Sequence, residues 1–173
     1  FMARFKMHPF ISTMANMLII FGLVTYATKG VSFGAIDPAI PNIFIPKAGR
    51  FPMIILWAII AVVVVWFIWN KTTFGKNLYA VGGNPEAATV SGISVFKVTM
   101  GAFIMAGILY GFGSWLECLR MVGSGSAAYG QGWDMDAIAA CVVGGVSFTG
   151  GIGKISGVVT GVLIFTSLTY SLT

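Results

Sequence analysis

Apolar stretches dominate this chain, and short polar or glycine-rich breaks divide them. The first candidate span covers residues 9–28 and follows Arg4, Lys6 and His8. A Pro/Gly-rich connection over 29–51 comes next. Its Pro38, Pro41 and Pro46, with Pro52 beyond, deny it a long helix. Residues 52–69 form the clearest span. These 18 residues carry no charge, and at about 1.5 Å per residue a helix of them reaches ~27 Å, close to the hydrocarbon thickness of a bilayer. Trp66 and Trp69, then Asn70 and Lys71, mark an interfacial end. After a polar stretch over 70–97, a third span is predicted over 98–116. It ends at Glu117 and Arg120, three apart and placed to pair. A Gly/Ser-rich loop (121–133) precedes the apolar run 137–148. That run is too short to cross at full thickness and predicts a tilted, broken or re-entrant helix. A last span, 155–173, starts after the break at 149–154. Phe1 is no initiator and Thr173 stops inside an apolar stretch, so the chain is expected to be a fragment lacking helices on both sides.

The fold class expected is all-α: a polytopic integral membrane helix bundle with about four to five membrane helices, one of them short or broken. Composition agrees. Hydrophobic residues make up 57% of the chain and charged ones 9%, against about 25% charged in a soluble domain, and the mean hydropathy is +0.92. The net charge of +5 comes from basic residues scattered singly between apolar runs, which suits flanks of membrane spans and gives no nucleic-acid surface. If 70–97 is cytoplasmic, Arg4, Lys6, Lys71, Lys76, Lys97 and Lys154 lie inside. Lys29, Lys47, Arg50 and Arg120 then lie outside, a lean toward the positive-inside rule. Cys118 and Cys141 sit in apolar segments and His8 is the single histidine, so neither a metal site nor a catalytic constellation is expected.

Two glycine patterns predict close helix contacts: Gly107 with Gly111, and Gly153, Gly157 and Gly161 on one helical face. Such a face either packs statically or forms the seam of a moving gate. The polar stretch 70–97 contains a compact helix signal. Gly82-Gly83 permits a sharp turn, Asn84 can cap, and Pro85 suits the first helical position. Glu86 is favourable near the positive helix end, Ala87-Ala88 propagate, and Gly92 is placed to stop the helix. About two turns of rigid, small-residue helix would thus be displayed outside the bilayer, a shape that fits a groove on a partner.

The run Thr73-Phe74-Gly75-Lys76-Asn77, through Gly82-Gly83-Asn84-Pro85-Glu86-Ala87-Ala88 to Ser91-Gly92-Ile93, resembles the cytoplasmic coupling segment of bacterial carbohydrate ABC permeases of the ribose, galactose and xylose type. A second match covers Asp136-Ala137-Ile138-Ala139-Ala140, Val143-Gly144-Gly145-Val146-Ser147-Phe148 and Gly150-Gly151-Ile152-Gly153. The stretch Ala139–Phe148 is most similar to the galactose/methyl-galactoside type. Trp133-Asp134-Met135-Asp136 departs from the family's usual Tyr, Glu, Leu and Asp. The outer loops match poorly, which leaves the exact sugar open.

The resemblance implies a multi-pass permease of the bacterial inner membrane that imports a neutral sugar and is not itself an enzyme. This chain would bind no cofactor. ATP and magnesium would sit on a separate cytoplasmic ABC ATPase, a periplasmic binding protein would deliver the sugar, and a second permease copy would complete a homodimer in the lipid bilayer. Gly83, Asn84, Pro85, Glu86, Ala87, Ala88 and Gly92 would couple the permease to the ATPase. Among polar residues within spans, Asn16 is the candidate for the substrate path. Ser147 and Thr160 also qualify, but their hydroxyls can simply bond the preceding helical turn. Gly150-Gly151-Ile152-Gly153-Lys154 resembles a phosphate-binding loop only faintly: Phe148 replaces its first glycine and Ile155 its Ser/Thr. The alternative function is a passive channel for small neutral solutes, prompted by Asn84-Pro85 and opposed by its polar flanks and lack of a second box.

Overall fold

The computed structural model describes residues 9–32, 44, 47–48, 51–121, 125–126 and 128–172. Arg4, Lys6, His8, Pro38, Pro41, Pro46, Arg50 and Thr173 therefore lie outside the described residues. In chain order the elements are α1 (Pro9–Thr28), β1 (Lys47–Ala48), β2 (Phe51–Pro52), α2 (Ile54–Lys71), α3 (Thr73–Gly83), α4 (Pro85–Val90), α5 (Val95–Arg120), α6 (Trp133–Val143) and α7 (Ile155–Leu172). The strands form a minimal antiparallel pair, Lys47 opposite Pro52 and Ala48 opposite Phe51. The other elements among the described residues are helices.

Among the described residues, four helices are long and apolar enough to cross a membrane: α1, α2, α5 and α7. Their outer surfaces explain the composition. No residue in the apolar windows of α1 or α2 is buried, and Ile11, Leu18, Ile19, Leu23, Ile59 and Val63 are all exposed. Water would penalise apolar patches of that size, whereas lipid tails or further helices are the surroundings they fit. The second and third spans are longer or shifted relative to the hydropathy pattern. α2 begins at Ile54 rather than Pro52, and α5 runs from Val95 to Arg120 rather than 98–116. Its 26 residues give ~39 Å, longer than the ~30 Å hydrocarbon thickness, and its last turn is polar. There Arg120 pairs with Glu117, and Tyr129 donates to Glu117 Oε1 at 2.8 Å. That bond raises the Tyr129 phenol above its ordinary value. α6 has only eleven residues, ~16 Å, and stops at Val143 because Gly144 and Gly145 end it; Gly145 takes φ +81°.

The chain forms two compact units: residues 1–57 with 103–129, and residues 58–102 with 130–173. In the first, an aromatic group gathers Phe44, Trp57, Phe112 and Trp115. Trp57 and Phe112 meet edge-on with centroids 5.9 Å apart, and the indole Nε1 of Trp57 donates to the Phe44 carbonyl at 3.1 Å. The second unit holds both sequence motifs and is the one that builds the site.

Candidate functional site

The site begins at the end of α2. Thr72 links two helices: its hydroxyl donates to Ile68 O at 2.6 Å and accepts from the Gly75 amide at 3.4 Å, capping α3. The chain folds back so tightly that a Cβ on Gly75 would collide with the Trp69 carbonyl. On the other side, Phe74 lies against α5, where a Cβ on Gly101 would come within 2.7 Å of its ring. α3 is therefore wedged between the ends of two spans.

Asn84 joins α3 to α4 without slack. Its amide donates to Ala80 O at 3.1 Å, closing α3, while its side-chain oxygen accepts from the amides of Glu86 and Ala87, both at 3.0 Å, opening α4. Pro85 occupies the first turn, where its missing N–H costs nothing. At the far end the Gly92 amide donates to Thr89 O and the Ile93 amide to Ala88 O, each at 3.0 Å, with Gly92 at φ +80°. This is the doubly bonded glycine stop in which a left-handed residue satisfies the last carbonyls. Six residues could not hold a helix alone. Here both ends are capped, the Asn84 N-cap being worth about 1 kcal/mol, and Ala88 is buried as an anchor. Glu86, Ala87, Thr89 and Val90 face outward, Val90 at 90% exposure.

The sharp turn expected at Gly82-Gly83 is not there. Both residues close α3, neither has positive φ, and the helix breaks only at extended Asn84 (φ −152°, ψ 102°). The reason for Gly82 is a neighbour, whereas a Cβ on Gly83 would meet nothing within 4 Å. A Cβ on Gly82 would lie 2.6 Å from the Gly151 amide nitrogen, and one on Gly151 would lie 2.6 Å from Gly83 Cα. The turn after α6 thus crosses the last turn of α3 backbone to backbone. Gly150 and Gly151 are doubly constrained, since both also take positive φ, +91° and +70°. One turn earlier, the Tyr79 hydroxyl donates to Gly153 O at 2.7 Å. The two sequence motifs, about seventy residues apart, are one structural site, and Lys154 sits at the same end of this unit as 70–97.

Beyond the crossing, α6 and α7 pack through glycine. A Cβ on Gly161 would strike the Ala140 carbonyl and lie 2.6 Å from the Gly144 amide nitrogen, and one on Gly157 would strike the Gly144 carbonyl. Gly153 is not on this face. It precedes α7, which starts at Ile155, because the 144–154 turn holds it in the loop beside Val146. Gly107 and Gly111 lie on α5 with nothing within 4 Å of a Cβ at either. Asn16 is exposed on α1. Ser147 bonds Thr149 and Thr160 back-bonds to Ser156 O at 2.9 Å, so both hydroxyls have local partners. Among the described residues no group of His, Cys, Asp or Glu is placed to hold a metal. Sequence reasoning missed α3 and Tyr79, and it named Ala140 and Gly144 only within the second motif, not as helix-packing residues. The spacing of Phe74, Leu78 and Val81 is a helical signal for α3.

The model of a family described as branched-chain amino acid transport system / permease component matches residues 1–173. The chain is 55% identical over its whole length to a galactose/methyl galactoside import permease protein, MglC, of Treponema pallidum, covering 34% of that protein. It is 44% identical over 99% of its length to MglC of Escherichia coli, covering 53%. It is 36% identical over 94% of its length to the ribose import permease protein RbsC of Bacillus subtilis, covering 51%. The chain spans from a third to about half of the length of these relatives. No solved structure matches.

Proposed function

The chain belongs to the branched-chain amino acid transport system / permease component family, and from that premise we propose that it is part of the membrane-spanning permease of an ATP-driven sugar importer. It is a multi-pass inner-membrane protein and a transport subunit. The observation that carries the proposal is the pairing of whole-chain similarity to sugar import permeases with a rigid, double-capped helix α4 whose outer residues are exposed.

The family description names amino acids, while the relatives' names point to sugars. The sugar is favoured by the charge pattern. An amino acid brings an ammonium and a carboxylate into the path, and each needs a polar or ionised partner inside the membrane. The apolar stretches of α1, α2 and α7 carry no charge before the terminal Lys71. A neutral, hydroxyl-rich solute such as galactose or a methyl galactoside suits such a path, with Asn16 as a candidate contact.

The mechanism follows from what α4 can do. The importer needs an energy source outside this chain: a cytoplasmic ATPase holding ATP and magnesium. Gly83, Asn84, Pro85, Glu86, Ala87, Ala88 and Gly92 build the knob that enters a cleft of that ATPase, so closure of the ATPase displaces α4. A periplasmic binding protein supplies the sugar, and a second permease copy completes the path. Coupling requires an element whose position both the ATPase and the path bias, and access then alternates by rocking helix groups about the path.

Gentle purification of the intact permease from its native membrane tests this. A nucleotide-binding ATPase should copurify in near-stoichiometric amount. Its absence, together with sugar equilibrating passively across vesicles of the permease alone, would replace the importer by a channel.

A further inference from the structure

A displaced α4 must move something to be useful, and the second unit contains a short, stiff route. Asn84 serves as the end of α3 and the cap of α4 at once, so no flexible linker separates the two. The last turn of α3 touches Gly150 and Gly151 through backbone atoms, with no side-chain layer to absorb a push by changing rotamer. The turn it touches is braced. The Ser147 amide donates to Ile152 O at 3.1 Å, and the Ser147 and Thr149 hydroxyls are 2.7 Å apart. That turn leads directly to α6 on one side and α7 on the other, and those helices are locked by the Gly144, Gly157 and Gly161 contacts. The Tyr79 hydroxyl clamps the assembly from the side, holding Gly153 O two residues before α7 starts.

We propose that Tyr79 is a positioning residue and that, with the Gly82–Gly151 crossing, it forms the joint through which movement of α4 reaches α6 and α7. The joint rests on the docking role of α4 proposed above, and it adds which helices receive the stroke and by what contact. Its physical requirement is a pair of backbones in contact plus one directional hydrogen bond. Van der Waals contact transmits a push, while the bond from Tyr79 to Gly153 O also transmits a pull. A return stroke without that bond would leave the turn behind.

The test uses the complete importer, permease with ATPase and binding protein, in proteoliposomes. Wild type is checked first for ATPase capture; if none is captured, the docking role itself fails and the joint with it. Tyr79→Phe removes only the hydroxyl. It is expected to keep ATPase copurification and the rate of ATP hydrolysis, while sugar transported per ATP hydrolysed falls about tenfold, within the range of coupling changes seen for residues along such routes. Gly82→Ala, which attacks the crossing instead, should lower the same ratio. The double variant should be no worse than the poorer single one, because both cut one route. A Tyr79→Phe importer with the wild-type ratio of transport to hydrolysis would overturn the proposal. So would loss of ATPase capture in that variant, which would place Tyr79 in docking rather than transmission.

Discussion

Ala87→Trp is expected to reduce sugar uptake by the intact importer at least thirtyfold, equivalent to about 2 kcal/mol of lost docking. Ala87 lies on the exposed side of α4, and its amide, which bonds Asn84, is unaffected by the side chain. The indole therefore leaves the helix intact and fills the space a partner's cleft must occupy. Permease abundance in the membrane, followed by immunoblot, should stay at the wild-type level while ATPase copurification is lost. Normal uptake with normal ATPase capture would remove α4 from the interface. The neighbouring Ala88 behaves differently: it is buried, so a large residue there damages the fold of the segment before any partner is involved.

Gly161→Val is expected to destabilise the α6–α7 pair by about 1–3 kcal/mol, the cost of forcing extra atoms into a closed contact. Even the first added carbon would strike the Ala140 carbonyl, and a helix backbone cannot give way as a side-chain tip can. The thermal unfolding midpoint of the purified permease in detergent should drop by several degrees. Gly107→Ala is the matched control. Its Cβ meets nothing within 4 Å, and alanine favours helix over glycine by about 1 kcal/mol, so the midpoint should hold or rise. Equal losses at the two positions would mean that the α6–α7 contacts contribute nothing particular to stability.

The difference between these two glycines shows where sequence pattern stops being informative. Gly107-xxx-Gly111 and Gly157-xxx-Gly161 have the same spacing, yet only the second faces a backbone among the described residues. Spacing places residues on one face of a helix; what covers that face is a tertiary fact. The long spans were legible because lipid imposes length and apolarity on every turn, and Pro9–Thr28 falls at its expected bounds. Their ends were less so, since α5 continues through Glu117 to Arg120, where an ion pair lets a polar turn extend the helix. In the polar segment, Asn84, Pro85 and Gly92 act by local hydrogen bonding and could be read residue by residue. Gly82 acts through Gly150 and Gly151, far along the chain. A turn was the local explanation for two adjacent glycines; nothing in the structure explains a glycine at 83, and close approach of another backbone accounts for Gly82. Tyr79 was silent for the same reason, because its partner is a main-chain carbonyl with no sequence signature.

The most direct measurement of the central claim is accumulation. Proteoliposomes carrying the full-length permease and its ATPase would be given the sugar-loaded binding protein, with radiolabelled galactose on one side and ATP with magnesium at the ATPase. Accumulation of galactose above its external concentration, dependent on ATP hydrolysis and abolished by Ala87→Trp, is the predicted result. Entry that merely equilibrates the sugar, at the same rate with and without ATP, would contradict it.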